Sequence, residues 1–130
     1  CGLEFKLPSY FAATGDGDYE HVDVRTLNAV SPTFHMISFE ERRPIQDDGF
    51  IEANAEGFKT TPAAFKPCKT PLGPGLALRT EPDGARGRRL VRFLQTSGRV
   101  VRISILTGGG NSADLEAVLD RLIASLKSAP

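Results

Sequence analysis

Tryptophan is absent from this 130-residue chain, methionine occurs once, and histidine and cysteine occur twice each. Each scarcity excludes something. His21 and His35 stand alone, without a Cys-x-x-Cys or a second histidine one turn away, so no metal centre is expected. Each reads as a residue on a strand face. No Gly-x-Ser-x-Gly elbow occurs, and Thr96-Ser97-Gly98 is a turn signal rather than a nucleophile. The adjacent carboxylates Glu40-Glu41 alternate across a strand, and Asp47-Asp48 suit a helix cap; neither pair reads as an acid/base couple. No catalytic set and no cofactor motif remain, so a non-enzymatic role is expected. No apolar run approaches the ~20 residues that span a bilayer as a helix.

The two cysteines have competing fates. Cys1 is not a translation start, since the only methionine is Met36. A cysteine at residue 1 followed by Gly2 is what signal peptidase leaves on a bacterial lipoprotein, which makes Cys1 a candidate lipid attachment. In the competing reading Cys1 and Cys68 form a disulfide, worth roughly 2–4 kcal/mol in the loop-entropy picture. A thioether-linked lipid and a disulfide at Cys1 exclude one another, and two free thiols are the remaining outcome. The lipid and disulfide readings both set the chain outside the cytoplasm, as a periplasmic or membrane-anchored protein.

What is present is enough for one domain over residues 1–130 with a single-domain core. Formal net charge is zero, but it is unevenly spread. Residues 1–58 hold eleven acidic and four basic side chains, whereas residues 59–110 hold two acidic and ten basic ones. Either the two parts fold together and neutralise one another, or the surface is dipolar and steers an acidic partner.

Periodicity supplies the elements. Leu3, Phe5 and Leu7 alternate with polar residues up to Pro8; Val22 and Val24 mark a second strand, and Thr33 to Glu41 a third. Asp47 or Asp48 can cap a helix to about Phe58, with Phe50, Ile51, Asn54, Ala55 and Phe58 on one stripe. Residues 60–75, rich in proline and glycine, read as a loop or an irregular edge. Three strands follow, Gly75–Thr80, Arg88–Gln95 and Arg99–Thr107, joined by short turns and so antiparallel. Val91 and Phe93 point to one side of their strand, and Leu90 and Leu94 to the other, which predicts a central strand covered on both faces. Leu115, Val118, Leu119, Leu122 and Leu126 form the stripe of a closing helix capped by Asn111 or Ser112. The expected class is α+β: an antiparallel sheet of N-terminal strands and a C-terminal three-strand meander, packed by a middle and a C-terminal helix.

Gly108-Gly109-Gly110-Asn111-Ser112-Ala113 fits G-x-G-x-x-A, but the strands before it are antiparallel, unlike a dinucleotide fold, so a glycine hinge is the simpler reading. The arginines give the sharper lead. A turn at 96–98 sets Gln95 against Arg99 and Arg92 against Arg102, with Arg88 on the same face as Arg92. Arg88, Arg92 and Arg102 therefore form a candidate partner-binding face, unless carboxylates from the acidic part of the chain pair with them. Nucleic acid is not an expected partner, because net charge is zero and no aromatic series accompanies the arginines.

The segments GLEFKLP (2–8), FHMISFEE (34–41), GFIEANAEGF (49–58), GLALRT (75–80), RRLVRFLQTSGRVVRISIL (88–106) and SADLEAVLDRLIASLK (112–127) together resemble the Mog1/PsbP-like family, which includes DcrB-type and PsbP-like bacterial envelope proteins. The likeness covers most of residues 2–128 in pattern. It implies a non-catalytic accessory or assembly protein of the bacterial cell envelope. Its partner would be another envelope protein or a membrane complex, with an acidic surface if the arginine face is used. The alternative is a small-ligand or lipid carrier with a cleft between sheet and helices.

Overall fold

The structure, a computed structural model, describes residues 3–7, 11–14, 21–26, 33–81, 87–96, 98–108 and 112–128. Nine strands and two α-helices occur among them: β1 (Leu3–Glu4), β2 (Phe11–Thr14), β3 (His21–Thr26), β4 (Thr33–Glu40), α1 (Asp48–Gly57), β5 (Lys66–Thr70), β6 (Gly73–Arg79), β7 (Arg89–Thr96), β8 (Arg99–Leu106), α2 (Ser112–Ala124) and β9 (Lys127–Ser128). Seven strands make one antiparallel sheet in the order β2-β3-β4-β8-β7-β6-β5, while β1 and β9 pair separately. The expected α+β class is what forms.

The sheet is covered on both faces, as the two-sided apolarity of β7 requires. Phe50 and Ala55 of α1, with Ile45 and Phe65, pack on Leu76, Leu78, Val91, Phe93 and Val100. Val118, Leu119, Leu122, Ile123 and Leu126 pack on Leu90, Leu94, Val101, Ile103 and Ile105, together with Phe34 and Met36. β7 and β8 thus contribute to both cores, with consecutive residues pointing to opposite layers. Phe93 is the hub of the α1 side. Its ring meets Phe50 edge-on at 5.6 Å and Phe58 at 6.2 Å, and lies tilted against Phe65 at 6.0 Å. Asp47 caps α1 by accepting a hydrogen bond from the Gly49 amide at 2.8 Å. The Asn111 cap and the hinge residues 109–111 lie outside the described residues, although Gly108 has a left-handed φ of 57°.

Three expectations need correction. First, the proline-rich stretch 60–75 is not irregular throughout: a 3₁₀ turn at Pro62–Ala64 leads into β5 and the start of β6. β5 is an edge strand, where a residue lacking an N–H can sit facing solvent without breaking a ladder, so Pro67 is tolerated. Gly73, at φ 122°, supplies the turn between β5 and β6, and the Thr70 hydroxyl donates to the Gly73 carbonyl at 2.7 Å. Second, the N-terminal strand is short. Among the described residues only Leu3 and Glu4 pair, with Ser128 and Lys127, although Leu3, Phe5 and Leu7 all pack against the α2-side core. The Lys6 amide then donates to the Ser125 hydroxyl at 2.8 Å, tying this segment to the end of α2.

Third, the register of the β7–β8 hairpin differs by one residue. Thr96 stands opposite Arg99, not Gln95, and Phe93, not Arg92, stands opposite Arg102. The turn is therefore two residues long, the length that best matches strand twist, and Gly98 provides a positive φ of 73°. A slip of one residue moves every side chain of a strand to the other face relative to its partner.

Candidate functional site

That slip separates the arginines expected to share a face. Arg92 lies on the α2 side, nearly buried, with its guanidinium 3.1 Å from both Glu116 Oε1 and Asp120 Oδ1. It also donates to the Val91 carbonyl at 3.1 Å. Glu116 and Asp120 are one turn apart on α2, so one cation holds two consecutive carboxylates, and Arg79 of β6 pairs with Glu116 from the outer side. Arg92 is an internal tie between sheet and helix rather than a partner-binding group. Arg88 precedes β7; its amide donates to the Thr107 hydroxyl at 2.8 Å, and its buried Nε has no hydrogen-bond partner among the described residues.

Arg102 belongs to the opposite face. It is half-buried and lies over the Phe58 ring at 5.5 Å from the centroid. Arg89, at the start of β7, approaches the same ring at 5.7 Å. The favourable contact is that of a cation with the negative face of an aromatic ring. No carboxylate among the described residues pairs with either guanidinium. Burial, followed by repulsion from Arg89, pulls the Arg102 pKa downward. Two like charges thus converge on one phenylalanine without a counter-ion among the described residues.

The surroundings form a ledge. The core beneath α1 reaches β4 only at Phe39, so the same face of the sheet continues beyond the helix without helical cover among the described residues. Alternation along β4 and β8 places Thr33, His35, Ile37, Ser104 and Leu106 there, with Ile37 opposite Arg102 and His35 opposite Ser104. Ile37 and Leu106 are half-buried and offer apolar surface beside the two arginines.

Cys68 sits in edge strand β5 with a free thiol, half-buried, so the expected disulfide to Cys1 is not formed. Burial raises the thiol pKa, Arg92 lowers it and Asp120 raises it. Cys1 itself lies outside the described residues. No cluster of three or more metal-ligating side chains occurs among the described residues, and no described helix is long and apolar enough to cross a membrane. Nor do the described ion pairs neutralise the acidic part of the chain with the basic part. Glu41 pairs with Arg43 locally, and Arg79 and Arg92 turn instead to α2.

Of the arginines singled out in the sequence, Arg102 lies on this ledge, whereas Arg89 and Phe58 beside it were not singled out as site residues. Arg89 and Phe58 carry no local signal, since they meet only through the tertiary packing of α1 on β7 and β8.

No known family's sequence profile matches the chain, and no curated protein does. Solved structures do resemble it. The solution structure of cyanobacterial PsbP, CyanoP, from Synechocystis superposes with a TM-score of 0.67 at 13% identity, over 98% of this chain and 86% of that one. A crystal structure from Bacteroides thetaiotaomicron gives 0.64 at 16% identity over 99% of this chain. The chain spans just under half of that Bacteroides protein, 46% of its length. The fold is PsbP-like.

Proposed function

We propose that the chain is a non-catalytic accessory domain of the bacterial envelope that binds another protein, and that the ledge beside α1 is its docking surface. One observation carries this reading: Arg89 and Arg102 flank Phe58 at the end of α1, beside a partly apolar stretch of the sheet that no helix covers among the described residues, with no carboxylate of the described chain paired to them. A desolvated cation without a counter-ion is costly, and an acidic partner surface relieves that cost. The PsbP-like fold fits an accessory role. The envelope setting is part of the same proposal and rests on the sequence resemblance. Protein docking is preferred to the carrier alternative because buried side chains occupy both sheet–helix interfaces, where a carrier's cleft would lie.

The test uses a short polyglutamate peptide as a probe and amide chemical shifts as the readout. Binding is expected to perturb the surroundings of Phe58, Arg102 and Ile37, to weaken as salt is raised, and to be lost in Arg89→Gln/Arg102→Gln with the fold intact. Perturbations elsewhere, or none at low salt, would overturn the assignment of the ledge.

A further inference from the structure

We infer that the ledge receives α1 of a second copy of this chain, in a two-fold pairing that sets Glu52 and Glu56 of each copy over Arg89 and Arg102 of the other. The inference rests on the docking reading above and names its occupant.

The first argument is shape. α1 is a ridge on one part of the sheet face, and the ledge is the neighbouring part of that face. A ridge beside a ledge is self-complementary under a two-fold rotation, because each copy offers both halves of the contact. A helix is about 10–12 Å across with its side chains, close to the ~10 Å at which packed layers stand apart. One α1 can therefore lie between its own sheet and the sheet of a rotated copy.

The second argument is charge. Asp48, Glu52 and Glu56 are exposed on α1 at four-residue spacing, and the helix contains no basic residue. None of the three has an ion-pair partner among the described residues. Phe50, Ala55 and Phe58 face the protein's own sheet, so Glu52 and Glu56 fall on the opposite side of the helix, towards an approaching copy. The unneutralised anions are on the ridge and the unneutralised cations on the ledge. Within one copy the described residues leave both without ion pairs, and two-fold rotation brings them together. Half-buried Ile37 and Leu106 supply apolar surface at the contact. Self-pairing and an external acidic partner then compete for one ledge.

Sedimentation velocity across roughly 1 µM to 1 mM, the range of dissociation constants of weak contacts, tests this on the whole chain. The expected result is an apparent mass rising from 14.0 kDa towards twice that value at low salt. The rise should be lost at about 0.5 M salt, where the Debye length falls to a few Å. Glu52→Arg/Glu56→Arg should be monomeric throughout, as should Arg89→Glu/Arg102→Glu. If the latter does not fold by circular dichroism, exposed Arg89→Glu alone takes its place. Mixing the two charge-reversed variants should restore association as a one-to-one pair, since each then carries the charges that the other needs. A wild type that stays monomeric at low salt, or variants that associate like wild type, or a mixture that does not pair, would overturn the inference. If polyglutamate still binds at the ledge of a monomeric wild type, self-pairing fails while the docking reading stands.

Discussion

Phe93 of β7 stands opposite Arg102 of β8, and this pairing decides where every charge of the hairpin goes. It carries Arg102 to the α1 face beside Phe58 and leaves Arg92 under α2 with Glu116 and Asp120. One arginine becomes part of the interior and the other part of a surface. Had Arg92 faced Arg102, two like charges would have met directly across the ladder, an unfavourable pairing.

The closing helix should carry a large share of stability. Leu119 and Leu122 are almost fully buried against the sheet. Leu119→Ala and Leu122→Ala should each cost roughly 2–5 kcal/mol, from lost transfer energy and the cavity left behind. Urea denaturation measures this directly, and losses at the surface level of about 0.5 kcal/mol at both positions would contradict the packing described.

Arg92 should behave as a packed ion pair whose stem matters as much as its charge. Its guanidinium is nearly buried, while Asp120 is largely exposed and can recover water. Arg92→Met should change stability by no more than about 1 kcal/mol, whereas Arg92→Ala should cost about 1–3 kcal/mol through lost packing. Equal losses in the two variants would mean that the charge, not the volume, holds α2 in place.

Glu41 should titrate unusually low. Its side-chain hydrogen bonds from Arg43, at 3.0 and 3.1 Å, draw its pKa down to about 2. A carboxylate whose folded pKa is depressed adds stability above its ordinary value of ~4.3, and loses that contribution as pH falls through the folded value. Following the Glu41 carboxyl carbon by NMR between those values should show the low midpoint, and Arg43→Gln should return it towards ~4.3. A midpoint unmoved by that substitution would remove Arg43 as the cause.

Cys68 should be a sluggish thiol. Burial, the largest influence, raises its pKa, and only the thiolate reacts with alkylating reagents. Alkylation at pH 8 should be slower in native than in urea-unfolded protein, and its midpoint in the native state should lie above ~8.5. A native rate equal to or faster than the unfolded one would show that Arg92 outweighs burial.

Much of the architecture was legible because it is local. The alternation of Leu90, Val91, Phe93 and Leu94 announced a strand covered on both faces, and the spacing of Leu115 to Leu126 announced a helix over the sheet. β5 was hidden because proline argues against a strand, an argument that applies to inner strands and loses its force at an edge. β2 and β9 are too short to show a period. The site was only half legible. A two-residue turn and a three-residue turn look alike in Thr96-Ser97-Gly98, yet they send Arg102 to different faces. The meeting of Phe58 with Arg89 and Arg102 depends on where α1 settles, which no local pattern states.

The pairing of β1 with β9 also has a mechanical meaning. Leu3 lies beside Ser128, and the strands run antiparallel, so a pull on the two ends opens that ladder one rung at a time. Tension should therefore first peel away residues 3–7 and the tail of α2, well short of the force that would disrupt β7 and β8, and leave the ledge intact while it does so.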